Sequence, residues 1–177
     1  MITYKITETA AELAQILDLQ AKNLPNQLTE TDKEEQGFVT VHHDLDILQK
    51  MHDIHPHIIA VSGQDLAGYA LSMSAKFRED IPVLVPMFTE IDASEKGASK
   101  YIIMGQVCVG KNFRGKGIFR GLYAKMKEEF SGMYDCIITE IDTLNTRSLN
   151  AHSAIGFKEL LRYESGGQTW VVVYMDI

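Results

Sequence analysis

A glycine-containing turn between an apolar stretch and a helical stretch is the strongest chemical signal in the sequence. Residues 107–120 are Val-Cys-Val-Gly-Lys-Asn-Phe-Arg-Gly-Lys-Gly-Ile-Phe-Arg. Backbone N–H groups at the start of a helix have no intrahelical acceptor and lie at the positive end of the helix dipole. Gly115 and Gly117 would let the main chain approach a ligand without a Cβ in the way. The turn therefore predicts a site for a small anion such as a phosphate group.

The charges around this turn also indicate an anion. The chain has a formal net charge of −7, yet residues 111–127 hold six basic residues and no acidic one. Basic residues stand at the start of the predicted helix and Glu128 and Glu129 near its end, so both placements oppose the helix dipole. A bound anion would reverse the first of these costs, each about 0.3–1 kcal/mol. A solvated basic helix face is the alternative explanation.

Three kinds of phosphate-binding turn compete for this segment. A Walker-type loop requires Ser or Thr after Gly-Lys, whereas Gly117 follows Lys116. A dinucleotide fingerprint on Gly115, Gly117 and Gly121 has a spacing one residue too long, and too few residues follow for a doubly wound domain. A turn that binds the pyrophosphate of coenzyme A fits best. A turn rich in glycine for packing alone remains the structural alternative.

Two segments resemble the GNAT superfamily of N-acetyltransferases. Residues 114–118, Arg-Gly-Lys-Gly-Ile, are similar to the family's pyrophosphate motif Gln/Arg-x-x-Gly-x-Gly/Ala, with Phe119 at the last small position. Residues 145–157, Asn-Thr-Arg-Ser-Leu-Asn-Ala-His-Ser-Ala-Ile-Gly-Phe, resemble the family's fourth-helix pattern. Asn145 as an N-cap and Gly156 as a C-terminal glycine also explain the second segment without any function.

The resemblance implies acetyl-CoA as co-substrate and transfer of its acetyl group to a primary amine by direct attack in a ternary complex. It implies that strand 101–109 splays from strand 136–141, with the pantetheine arm in the gap and backbone amides near Val107 and Val109 polarising the thioester carbonyl. The Phe119 side chain is expected to point away from the cofactor. A non-catalytic sensor module that binds CoA or acyl-CoA is the alternative function. The cofactor-binding residues that the resemblance implies are Val107, Cys108, Val109, Arg114, Gly115, Lys116, Gly117, Ile118, Phe119, Asn145 and Ser148.

Two residues are candidates for proton transfer. Glu140 is the only acid in the apolar strand 136–141. Burial there would raise its pKa and let it accept a proton from the amine, with an outward-facing strand residue as the alternative. His152 stands where the family usually has a tyrosine that donates a proton to the CoA sulfur, and the resemblance implies this role for it. Its alternative is a histidine that bonds a backbone group and only shapes the pocket. Gln106 is expected to order water or the acceptor, and Tyr123 to lie in the core.

Hydrophobic periodicity predicts the elements that position these residues. Residues 77–99, with Pro82 and Pro86, are expected to be a long, partly ordered excursion that shapes acceptor choice. The predicted fold is α+β, a GNAT-like central mixed, mostly antiparallel sheet flanked by helices, in one domain over 1–177. The predicted order is β-α-α-β-β-β-α-β-α-β-β, with strands over 2–7, 57–61, 66–73, 101–109, 136–141, 157–163 and 169–175 and helices over 9–24, 44–51, 118–130 and 145–155.

Composition and charge exclude several classes of protein. The 177 residues are 45% hydrophobic and 23% charged, typical of a globular domain. The net charge argues against nucleic acid as a partner, and no apolar run suits a membrane helix. We therefore expect a cytoplasmic enzyme, compatible with a homodimer, that acts on a small-molecule or protein amine, with Cys108 and Cys136 reduced. No metal site is predicted, because the spacing of the histidines at 42, 43, 52, 55 and 57 matches no zinc template.

Overall fold

The computed structural model describes residues 1–24, 39 and 41–177. Within these ranges five α-helices flank one seven-stranded sheet. The helices are α1 Ala10–Ala21, α2 Leu45–Ile54, α3 Val85–Ala93, α4 Ile118–Phe130 and α5 Thr146–Ser153. The strands are β1 Ile2–Ile6, β2 Ile58–Ser62, β3 Asp65–Met73, β4 Tyr101–Val109, β5 Cys136–Asp142, β6 Lys158–Ser165 and β7 Gln168–Asp176.

The sheet has the strand order β1-β2-β3-β4-β5-β7-β6. Every neighbouring pair is antiparallel except β4 and β5, which run parallel. The predicted mixed, mostly antiparallel sheet flanked by helices is thereby confirmed. None of the helices in the described ranges combines the length and apolar character that crossing a bilayer requires.

Helices cover both faces of the sheet, which explains why its central strands are apolar throughout. Along β5, Cys136 and Ile138 face one cluster of buried side chains, while Ile137 and Ile141 face the other. The first cluster includes buried residues of α1, α2 and α3, and the second includes those of α4. Both faces of β5 are therefore enclosed, except where the sheet opens beside β4.

Local signals fix where most helices begin. The Thr9 hydroxyl accepts from the backbone N–H of Glu12, whose side chain bonds back to the cap, so α1 starts with a capping box. The Asp44 carboxylate caps α2, and the Asn145 side chain caps α5. Helices α3 and α4 have no side-chain cap, and α4 begins directly after Gly117. Its first N–H groups are thus left for another partner.

The excursion over residues 77–99 contains a helix that the sequence analysis missed. Helix α3 follows a 3-10 turn over 82–84, and Met87, Phe88 and Ile91 are buried in the core. Pro82 and Pro86 lie in the first turns of these two segments, where a missing N–H removes no helical hydrogen bond. Helix α2 also extends three residues beyond the predicted end. The interpretations of residues 25–38 and 40 fall outside the described residues.

Candidate active site

The sheet opens between its two parallel strands. Three residue pairs join β4 to β5, from Tyr101–Cys136 to Ile103–Ile138, although β4 continues to Val109 and β5 to Asp142. On its other side β4 carries one extra residue against β3, since Ala70 pairs with Val107 and Ser72 with Met104. Beyond Ile103, the backbone groups of β4 that face β5 lie outside the ladder between these two strands. The predicted splaying of the two strands is confirmed.

A cleft of about 570 Å³ occupies this end of the sheet. A smaller cavity of about 70 Å³ lies between the splayed strands, where it is lined by residues such as Met104, Gln106 and Glu140. The two spaces adjoin, because four residues line both of them: Val39, Val107, Asn145 and Ser148.

The glycine turn forms one wall of the cleft. Gly115 and Gly117 have left-handed φ angles of 72° and 77°, and a Cβ on either would meet no atom within 4 Å. The backbone of both glycines therefore faces open space at the start of α4, which has no side-chain cap. Gly121 differs, because a Cβ there would lie 2.1 Å from the Tyr4 ring. Gly121 thus serves the packing of α4 on β1, which removes it from any phosphate fingerprint.

All of the residues predicted to bind the cofactor line the cleft except Lys116. The Lys116 ammonium instead donates to the carbonyl of Asn112 at 2.9 Å, 5.6 Å from the centre of the Phe113 ring. Arg114 lines the cleft and is held there, since its Nε donates to the Val109 carbonyl at 3.0 Å and a terminal nitrogen to Asn23 Oδ1 at 2.7 Å.

The cleft also includes residues that the sequence analysis did not single out. Ala151 lies three residues after Ser148, so helical spacing could have identified it, and Ile155 lies on the helix face that this spacing assigns to the cofactor. Arg120 and Arg147 add two exposed cationic side chains. Asn23 and Val39 come from distant parts of the chain and had no local signal. The remaining lining residues are Phe113, Asn150 and Ala154.

His152 is buried and lines the smaller cavity. Its Nδ1 lies 2.8 Å from the Ser148 carbonyl oxygen and its Nε2 lies 2.6 Å from the Tyr123 hydroxyl. The ring also packs edge-to-face against Phe119 and Phe157. Burial lowers the pKa of the imidazole to about 4, so it is neutral at pH 7. This geometry disfavours the predicted proton donation to a thiolate, because both ring nitrogens are already engaged.

The Phe119 ring packs in this aromatic cluster, and Phe119 also contributes to the lining of the cleft. Its ring centre lies 5.1 Å from that of Tyr123 and 5.0 Å from that of His152. The half-buried side chain is therefore directed toward the protein interior. Tyr123 is buried, as expected of a core residue, and its hydroxyl is committed to His152.

Glu140 projects into the smaller cavity from β5. The Tyr163 hydroxyl of β6 donates a hydrogen bond to its carboxylate. Burial raises the pKa of the Glu140 carboxyl to about 7, while the hydrogen bond from Tyr163 opposes that rise. A carboxyl with this pKa exchanges protons readily near neutral pH.

A buried polar network holds the bulge of β4. Gln106 Oε1 accepts from the Tyr69 hydroxyl at 2.6 Å and from Gln20 Nε2 at 2.8 Å. Gln106 Nε2 donates to the Val41 carbonyl at 2.7 Å, and the backbone N–H of His43 donates to Gln20 Oε1 at 2.9 Å. These bonds hold the Gln106 side chain, which lines the same cavity as Glu140.

The histidines near the end of α2 make separate contacts. His52 Nδ1 lies 2.8 Å from Thr7 Oγ1, His55 Nε2 lies 2.5 Å from the Tyr134 hydroxyl, and His57 Nε2 lies 3.2 Å from the Leu48 carbonyl. In the part of the chain that the structure describes, no group of three or more His, Cys, Asp or Glu residues is arranged to hold a metal ion.

Comparison with known proteins adds the family. The model of the acetyltransferase (GNAT) family matches residues 13–157. No curated protein matches the sequence significantly. The fold is similar to that of Arabidopsis thaliana NAA60 in complex with acetyl-CoA, with a TM-score of 0.69 and 13% identity over 100% of both chains.

Two bacterial structures are similar in the same way. The ribosomal-protein-S18-alanine N-acetyltransferase from Escherichia coli gives a TM-score of 0.67 at 11% identity, over 100% of this chain and 94% of the other. An N-acetyltransferase from Staphylococcus aureus Mu50 gives 0.64 at 16% identity, over 99% of this chain and 98% of the other. The fold, the splayed strands and the family match agree, and the chain belongs to the acetyltransferase (GNAT) family.

Proposed function

We propose that this protein transfers an acetyl group from acetyl-CoA to a primary amine, by direct attack in a ternary complex. The observation that carries the proposal is the cleft in which an uncapped glycine turn meets the opening between two parallel strands. The cleft volume of about 570 Å³ lies within the usual range for small-molecule sites. The backbone of the turn supplies N–H donors for a pyrophosphate, and the opening supplies room for an extended arm.

Different residues of the cleft would bind different parts of acetyl-CoA. The N–H groups at Gly115, Gly117 and the start of α4 would bind the pyrophosphate, with Arg114 beside them. The pantetheine arm would lie along β4 near Val107 and Val109, beyond the last residue pair that joins β4 to β5, where backbone N–H groups on that side of β4 have no partner strand among the described residues. One such N–H would donate to the thioester oxygen as it gains negative charge, which lowers the barrier to attack.

Glu140 is the residue that we assign to proton removal. The amine nitrogen attacks the thioester carbon, the carbon–sulfur bond breaks, and the excess proton of the nitrogen passes to the Glu140 carboxylate. The raised pKa of about 7 keeps a substantial carboxylate fraction at neutral pH and makes it a stronger base than an exposed glutamate. Tyr163 favours the charged form by donating to it. Amine and thioester held together need little else from the protein.

The acceptor amine is the part of this function that a substrate screen must identify. Small-molecule and protein amines both remain candidates, and a cytoplasmic location and a homodimer stay predictions from the sequence. A screen for thiol release from acetyl-CoA with a panel of polyamines, amino sugars and peptide N-termini tests the function. We expect at least one amine to accelerate thiol release in the native protein and not in Glu140→Gln. Acetyl-CoA binding with no acceleration by any amine would favour a CoA-binding module instead.

A further inference from the structure

The point where the large cleft meets the smaller cavity has few polar side chains. Val39, Val107, Asn145 and Ser148 line both spaces. The Asn145 side-chain oxygen accepts from the backbone N–H of Ser148 as the cap of α5. A thioester that reaches from the glycine turn toward Glu140 must pass this junction. Ser148 therefore stands beside the path of the sulfur.

Hydrogen-bond chemistry fixes the proton positions around His152. A carbonyl oxygen can only accept, so the Nδ1 that lies 2.8 Å from the Ser148 carbonyl carries the hydrogen. A neutral imidazole has one N–H, so Nε2 is an acceptor and the Tyr123 hydroxyl donates to it at 2.6 Å. His152 thus holds no proton that it could give to a ligand in the cleft.

The same assignment determines the role of the Ser148 hydroxyl. Its oxygen lies 3.3 Å from His152 Nδ1, and because that nitrogen carries the hydrogen, the hydroxyl oxygen is the acceptor. Among the described residues the hydroxyl has no other hydrogen-bond partner. Its own hydrogen is therefore left to point elsewhere, and the half-buried side chain borders the junction.

We propose that the Ser148 hydroxyl donates the hydrogen bond that stabilises the departing CoA thiolate, and that His152 is a positioning residue that acts through Ser148. This proposal rests on the proposed function. When the carbon–sulfur bond breaks, its electron pair goes to sulfur, and the O–H of Ser148 bonds to the new thiolate without losing its proton. The amine proton is on Glu140, so no further proton donor is needed. The thiolate takes a proton from water after release.

The acidity of the bound CoA thiol tests the proposal without an acceptor. A hydrogen bond to a thiolate favours the charged form and therefore lowers the pKa of the thiol. We expect the pKa of CoA bound to Ser148→Ala to be about one unit higher than that of CoA bound to the unaltered protein. The measurement is a pH titration of thiolate ultraviolet absorbance, with the protein alone subtracted. The protein's own thiols interfere little, because burial raises the pKa of Cys108 to about 12 and also raises that of Cys136.

Two control variants separate a local effect from a structural one. Ser153→Ala alters an exposed serine of the same helix that lies outside the lining of the cleft, and we expect the unaltered thiol pKa. Ser148→Thr retains the hydroxyl, and we expect it to keep the low thiol pKa. With an active amine, Ser148→Ala should lower kcat about 10- to 100-fold with little change in the KM for acetyl-CoA.

The outcomes distinguish this proposal from the proposed function. CoA that binds the unaltered protein and Ser148→Ala with the same thiol pKa would refute the role of Ser148 and leave acetyl transfer standing. Full kcat in Ser148→Ala would do the same if that variant binds CoA too weakly to titrate. An unaltered protein that binds no CoA at all would refute the proposed function, and the role of Ser148 with it.

Discussion

Gly117→Val should abolish cofactor binding at a cost in stability that can be measured separately. Gly117 has a left-handed φ of 77°, a region that costs an L-residue about 1–2 kcal/mol. For a protein of this size 1 kcal/mol corresponds to about 2–4 °C in Tm, so the variant without ligand should melt about 2–8 °C lower. No atom lies within 4 Å of a Cβ placed on Gly117, so the valine side chain would extend into the open space of the cleft. It would occupy the place where a phosphate must approach the backbone.

Gly63→Val is the matched control. Gly63 has a φ of 65°, and a Cβ there also meets nothing within 4 Å, but it lies in the turn between β2 and β3, away from the lining of the cleft. The two variants should therefore lose similar stability. Acetyl-CoA at a hundredfold excess over Kd adds about 2.7 kcal/mol to a protein that binds it.

The assay is thermal unfolding with and without acetyl-CoA. We expect the ligand to raise Tm by about 5–11 °C in the native protein and in Gly63→Val, and hardly at all in Gly117→Val. NAD and ATP should give no comparable shift. Equal acetyl-CoA shifts in the two glycine variants would show that the turn does not hold the ligand.

Three more outcomes are expected. Tyr163→Phe removes a hydrogen bond that lowers the pKa of Glu140, so the acid limb of the kcat/KM profile should move to higher pH, and an unmoved limb would count against the pair. The negative charge of Glu90 acts at Tyr163, which contacts the proposed base Glu140, so Glu90→Gln should change the KM of a cationic amine and leave the Kd of acetyl-CoA unchanged. A changed Kd with an unchanged KM would contradict this. Burial lowers the pKa values of His43, His57 and His152 to about 4, 3 and 4, so their contribution to stability should be full above pH 6.5 and fall toward pH 4, as the unfolded chain binds protons that the folded chain does not. Glu140, with its pKa raised to about 7, opposes this fall but is one group against three, so the urea midpoint should still drop, and a constant midpoint would contradict the role of the histidines.

The elements around the cleft were predictable because their signals are local. Strand β4 and helix α4 begin and end where the sequence predicts, since an apolar run and a 3.6-residue period meet at Gly117. Helix α3 could not be predicted in this way, because Pro82 and Pro86 resemble helix breakers in the sequence. Only tertiary packing shows that each proline lies in the first turn of a helical segment.

The partners of the site residues were less predictable than the residues themselves. Glu140 was a candidate from its place in an apolar strand, but Tyr163 reaches it from β6, with β7 lying between their strands. No local pattern contains that contact. The surroundings of His152 likewise depend on Tyr123 of another helix. The resemblance suggested a proton donor, whereas the hydrogen bonds around the ring favour a positioning role.

The transfer of acetyl from acetyl-CoA to an amine can be tested most directly with an isotopically labelled acetyl group. The purified protein is incubated with labelled acetyl-CoA and pooled small amines and peptides, and the products are analysed by mass spectrometry beside Glu140→Gln. We expect a labelled amide in amounts equal to the CoA released, and far less of both in the variant. Equal CoA release from both proteins, with no labelled amide, would contradict acetyl transfer to an amine.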